Sequence, residues 1–150
     1  MSQSLVKNLI HLVFSTQNRA PVLTERIREA LQAYISAIFR DLNSPVLAVN
    51  ICHDHVHIAF ILSKNYSLAK VIMESKRGSS KWLKTQGQEY SRFHWQKGYG
   101  AFSFGQSALK DTIRYIGRQQ EHHRLRTFQD EFRDFLNRYE IEYDERYVWD

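Results

Sequence analysis

VLAVNICHDHVHIAFIL, residues 46–62, holds two apolar runs around a short polar break at His53 and Asp54. VLAVNIC and VHIAFIL each have strand length and β-branched content, and so small a break permits only a tight turn. The stretch therefore reads as a β-hairpin. Within its second run Val56, Ile58 and Phe60 share one parity and face a core, while the other parity holds His55 and His57, then Ala59 and Ile61. Two imidazoles side by side on an otherwise apolar face need partners, because an unsatisfied buried ring nitrogen is costly. Two readings stand: one satisfied core histidine beside one at a strand edge, or a shared metal ion.

The pattern on either side of the hairpin completes a topology. VKNLIHLVF, residues 6–14, is apolar on nearly both faces and reads as a central strand. After the loop NRAPVLT, Thr24 is an expected N-cap for a helix from Glu25 to Leu42, with Ile27, Leu31, Tyr34, Ile35 and Ile38 as its apolar stripe. NSP ends that helix. Beyond the hairpin a second helix is expected from Ser67 to Gln86, with Leu68, Val71, Ile72, Trp82 and Leu83 inward. YGAFSF is a fourth strand, Gly105 separates it from a third helix at Ser107 to His122, and TFQDEFRDFLNRY makes a fourth. The order β-α-β-β-α-β predicts an α+β, ferredoxin-like (RRM-like) antiparallel sheet with the first and third strands central and helices appended at the C-terminal side. No repeat or linker divides residues 1–150, so one domain is expected. The closing residues Ile141, Tyr143, Tyr147 and Trp149 carry enough apolar surface to pack on the body.

Composition narrows the function classes. Cys52 is the only cysteine, which excludes an intramolecular disulfide and fits a reducing compartment. The first residues lack the pattern of a signal peptide, and no run approaches a membrane span, so a cytoplasmic protein is expected. The net charge is +5, but residues 140–150 hold five acids and one arginine; the other 139 positions carry 20 basic and 11 acidic residues, or +9. That excess points to a polyanionic partner, nucleic acid before membrane.

DTIRYIGRQQEHH, residues 111–123, sets Tyr115 and Gln119 four apart, hence on one helical face. With His55-Val56-His57 (histidine, hydrophobic, histidine), this pair resembles the single-tyrosine HUH transposases of insertion sequences of the two-hundred/six-hundred-and-five class. The likeness runs through HLVFST, DHVHI, KGYGAFSF, RYIGRQQEHH and IEYDERYVWD, nearly the whole chain. The resemblance implies an enzyme that nicks and rejoins single-stranded DNA at hairpin-bearing ends through a 5′-phosphotyrosine, dependent on Mg²⁺ or Mn²⁺. Tyr115 is then the nucleophile, His55 and His57 are metal ligands, and Gln119 falls at the third-ligand position. The physics agrees in part: a phenol with a pKa near 10 needs activation, and a cation on the phosphate stabilises the transition state. Imidazole alone suits zinc better than magnesium, a tension with the implied metal. The resemblance also implies a homodimer with composite sites, the tyrosine helix of one subunit reaching the histidines of the other. Gly105, at the start of that helix, offers a joint.

Several residues have weaker claims. In ESKRGSSKW, Lys76, Arg77, Ser79 and Lys81 form a candidate DNA surface, with Arg114 and Arg118 flanking the tyrosine. Trp95 is the expected base-stacking residue, and Trp82 a core one. Gly117 is read as close packing against a neighbour. His122 and His123 read as exposed, and neither His11 nor His53 as a ligand. Two other functions fit. KGYGAFSF nearly spells an RNA-recognition submotif, which would make a binding module without chemistry, though it falls on the fourth strand rather than the third. A host-domesticated relative of the same enzymes, acting on chromosomal repeat hairpins, shares the chemistry without the mobility.

Overall fold

A computed structural model of the chain describes residues 2–119 and 126–150. Four strands form one antiparallel sheet: β1 (Asn8–Ser15), β2 (Val46–Ile51), β3 (His55–Leu62) and β4 (Gly100–Phe104), in the order β2-β3-β1-β4. The first and third strands are central, as their apolar character requires. Register fixes the faces: Val13 lies opposite His57 and His11 opposite Ala59, while Gly100 pairs with Val13 and Phe102 with His11.

One face carries α1 (Glu25–Asp41) and α2 (Leu68–Leu83). Their apolar residues close over Ile10, Leu12, Phe14, Val56, Ile58 and Phe60 to make the larger core. The buried stripe of α1 is Ile27, Leu31, Ile35 and Phe39. Tyr34, expected in that stripe, lies at its margin and stacks on Trp82 with ring centroids 4.9 Å apart. Ser67 caps α2 by accepting the Lys70 N–H.

The opposite face is covered by α3 (Leu109–Gly117) and α4 (Phe128–Arg138). Phe128, Phe132, Phe135 and Leu136 of α4 bury against Val13 and Phe102, with Tyr115 and the tail residues Tyr143, Val148 and Trp149 at the edge. Thr127 caps α4 through the Asp130 N–H. The approach of α4 to the sheet depends on Gly100: a Cβ there would stand 2.3 Å from Phe132 Cε2. The tail packs only in part, since Ile141 and Tyr147 stay exposed.

Two readings of glycine are corrected. α3 closes at Gly117, residues 120–122 of the expected run lie outside the described residues, and a Cβ on Gly117 would meet nothing within 4 Å. This glycine accompanies the end of a helix and makes no close contact. Gly105 has φ −85° and ψ 163°, ordinary extended backbone open to any residue. His122 and His123 lie outside the described residues. No described helix is long and apolar enough to cross a membrane.

Candidate metal and nucleophile site

The site lies in the sheet face beneath α3 and α4. Because side chains alternate along a strand, β3 delivers His55 and His57 to that face together, both fully buried. Their ring centroids are 5.2 Å apart. Each ring is held at Nδ1: that of His55 lies 2.7 Å from Asp54 Oδ1, and that of His57 lies 2.9 Å from His11 Nε2. Phe128 stacks on His55 at 4.6 Å.

α4 adds a carboxylate. Glu131 is 3% exposed, in the apolar face of its helix, and its Oε1 lies 2.8 Å from His57 Nε2. Donor atoms of His55, His57 and Glu131 fall within 4.8 Å of one another, close enough for one ion to touch all three. Burial alone would raise the Glu131 carboxyl, but the hydrogen bond and charge of His57, then the Tyr115 hydrogen bond and the His55 charge, bring it down to about 2. The group is therefore a carboxylate at neutral pH. His11 is held down at about 3 by burial and then by His57, against the pull of Glu131, and is neutral.

α3 brings the nucleophile candidate. The Tyr115 ring meets His57 edge-on at 6.0 Å and His11 at 6.1 Å, all in one chain. Asn50 of β2 donates to the Ile116 carbonyl at 3.0 Å and ties this helix to the sheet. Burial, then the charge and hydrogen bond of Glu131, raise the Tyr115 phenol well above its ordinary value, with Gln119 and Arg126 opposing. The phenol is protonated at neutral pH. Gln119 is fully buried one turn on, and its Oε1 has no hydrogen-bond partner among the described residues. His55, His57, Tyr115 and Gln119 thus lie together within this one chain, whereas the composite arrangement would take the tyrosine from another subunit.

The candidate DNA residues do not converge. Arg114 on α3 and Arg118 at its C-cap are exposed on either side of Tyr115, whereas Arg77 and Lys81 are exposed on α2, across the sheet. Ser79 leaves the surface altogether. It is fully buried, donates to the Ser75 carbonyl at 2.6 Å and accepts the Trp95 indole N–H at 2.9 Å. Trp95 is itself 7% exposed between Phe14 and Phe93, so it is a core residue rather than a stacking platform. Lys76 donates to the carbonyls of Gln96, Lys97 and Gly98 at 2.9, 3.3 and 2.6 Å, and burial lowers it to about 8. It holds a loop in place.

Glu131, Asp54 and the His11 contact were missed in the sequence. Asp54 adjoins the histidines, and Glu131 interrupts the Phe128, Phe132, Phe135 stripe, which were the available signals.

Residues 4–119 match the family model described as IS200-like transposase. The chain belongs to this family. The match takes in His55, His57, Tyr115 and Gln119 and stops before Glu131. Among solved structures this IS200-like transposase is similar to a Deinococcus radiodurans R1 protein described as a candidate transposase, with TM-score 0.62 and 16% identity over 79% of this chain and 98% of that one. It is also similar to a REP-associated tyrosine transposase bound to a REP hairpin, with TM-score 0.60 and 17% identity over 82% of this chain and 74% of that one. At such identities the likeness is one of fold. No curated protein matches the chain.

Proposed function

We propose that this transposase is a single-domain, metal-dependent enzyme that nicks and rejoins single-stranded DNA at hairpins, with Tyr115 as nucleophile. The observation that carries the reading is the meeting of the partly buried Tyr115 with the buried His57 and Glu131. His55, His57 and Glu131 would hold the divalent cation, with the Gln119 amide oxygen as a further donor. A carboxylate and an amide oxygen make this donor set harder than two imidazoles alone, which eases the tension with Mn²⁺ or Mg²⁺. When bound, the cation would polarise the scissile phosphate and offset the negative charge that keeps the phenol protonated.

Tyr115 then loses its proton to solvent and its oxygen attacks phosphorus. The bond from phosphorus to the 3′-oxygen breaks, and that oxygen takes up a proton to leave a free 3′-hydroxyl. The 5′-phosphotyrosine keeps the phosphodiester energy, so a 3′-hydroxyl of another end reverses the step without ATP. Arg114 and Arg118 flank the tyrosine on the exposed side of its helix, suited to phosphates of the incoming strand, while Arg77 and Lys81 offer a second basic surface for the hairpin. Joining two ends calls for two nucleophiles, so the working unit is a homodimer; with Tyr115 against its own histidines, each subunit brings a complete site. The reaction belongs in a prokaryotic cytoplasm.

A bare RNA-recognition module is disfavoured by one feature: the sheet face such a module leaves open is filled here by α4, with Phe102 of the near-submotif only 2% exposed. Chromosomal repeat hairpins remain a second substrate class, prompted by the fold shared with a REP-hairpin-bound protein.

The test is incubation with labelled single-stranded hairpins, repeat-derived and unrelated, and Mn²⁺. A denaturation-resistant protein–DNA adduct is expected for wild type and none for Tyr115→Phe, with hairpin binding kept and matched duplex bound more weakly. Adduct at wild-type yield in Tyr115→Phe would remove the assignment.

A further inference from the structure

We infer that His11 is a positioning residue for the metal centre, fixing His57 in the tautomer that turns Nε2 toward the ion while bracing the ring of Tyr115. The inference rests on the metal reading above. It starts from two ring nitrogens, His11 Nε2 and His57 Nδ1, 2.9 Å apart. A hydrogen bond between them needs one proton and one lone pair. For His57 to offer the Nε2 lone pair, its proton must be on Nδ1, so His11 Nε2 is the acceptor.

The fold makes room for this contact. His11 on β1 stands opposite Ala59 on β3, two residues along from His57. Such diagonal neighbours are within reach only of long or aromatic side chains. The methyl of Ala59, itself fully buried, leaves space for the imidazole to lean across it. The ring is then fixed from several sides: edge contacts with Phe135 at 5.1 Å, Phe102 at 6.5 Å and Tyr115 at 6.1 Å. β1, β3, α3 and α4 all meet at this residue, and one side chain touches both a metal ligand and the nucleophile. The other ligand is held differently, since His55 Nδ1 faces the Asp54 carboxylate. A residue that served packing alone would need the ring and not its acceptor nitrogen.

Two substitutions separate these roles. His11→Phe keeps an aromatic ring and removes the acceptor; His11→Gln sets an amide oxygen near the place of Nε2. Mn²⁺ binding is followed by the EPR signal of the free ion, with the melting temperature of metal-free protein alongside. His11→Phe should lower Mn²⁺ affinity at least about tenfold, and His11→Gln should recover most of the loss. In ¹⁵N spectra of labelled histidine recorded with Mg²⁺ bound, so that the ion takes the place of the proton between His57 Nε2 and Glu131, His57 should carry its proton on Nδ1 in wild type and His11→Gln, and redistribute it in His11→Phe. Wild-type Mn²⁺ affinity and an unchanged His57 tautomer in His11→Phe would overturn the inference and leave His11 a packing residue. Should His11→Phe fail to fold, His11→Asn, whose amide matches Nδ1, takes its place: equal affinity of the Asn and Gln variants would also overturn it. If wild type and His57→Ala bind Mn²⁺ alike, the metal reading fails first and the inference with it.

Discussion

A carboxylate 2.8 Å from an imidazole nitrogen and hydrogen-bonded to a phenol is shared between two tasks. Glu131 keeps Tyr115 protonated while it faces the tyrosine and would release it on turning to an ion. Glu131→Gln should therefore do two opposed things, weakening Mn²⁺ binding by tenfold or more while bringing the Tyr115 phenol down toward its ordinary range. Calorimetric titration and ¹³C-tyrosine NMR against pH would read the two effects, and an unchanged Mn²⁺ affinity would remove Glu131 from the ligand set. Cys52 gives a cleaner titration. Burial, then the charges of Glu131 and Asp54, against Arg28, raise its thiol from 9.0 to about 12. Above pH 9 the unfolded chain loses this proton and the folded chain keeps it, so stability falls as pH rises through the window from 9 to 12. The expected loss is about 1.4 kcal/mol per pH unit above 9. Denaturation free energies of wild type and Cys52→Ala should stay parallel below pH 8 and diverge toward this slope between pH 10 and 11, and curves parallel throughout would refute it.

Among the elements, α4 was legible as a helix but not as part of the site. Its length, cap and aromatic stripe stand plainly in TFQDEFRDFLNRY, whereas an acid among acids gives no sign of which face it takes until Phe128, Phe132 and Phe135 are aligned. The β2–β3 hairpin was legible in full, because a two-residue period assigns each histidine to a face without knowledge of anything distant. Ser79 and Trp95 were misread for the converse reason: their polar neighbours suggested a surface, and their mutual hydrogen bond spans 16 residues that no local pattern links. The seat of α4 is testable at Gly100. Gly100→Ala puts a methyl into the Phe132 ring, so α4 must shift outward at a cost of about 1–3 kcal/mol. Because Glu131 precedes Phe132, Mn²⁺ affinity should fall along with the urea midpoint. Loss of neither would mean that the ring has room to move.

For the whole molecule, the proposed homodimer raises the question whether its two sites are complete in each chain or shared between chains. Tyr115 lies against His57 of its own chain, so mixing Tyr115→Phe with His57→Ala protein should restore no adduct even after subunit exchange is verified. Recovery toward a quarter or more of wild-type yield would establish shared sites instead. The covering of the second sheet face has a consequence for how the protein is made. β3 provides both histidines, α3 the tyrosine, and α4, the last described helix, the carboxylate and the cover over them. Chains leave the ribosome from the N-terminus, at roughly 5–20 residues per second. A nascent chain that has emerged only as far as α3 already holds its four strands and its tyrosine, yet the histidine face is still bare and its carboxylate not yet translated. The proposed centre thus cannot form on a nascent chain until α4 has been made, because Glu131 supplies one of its three donors.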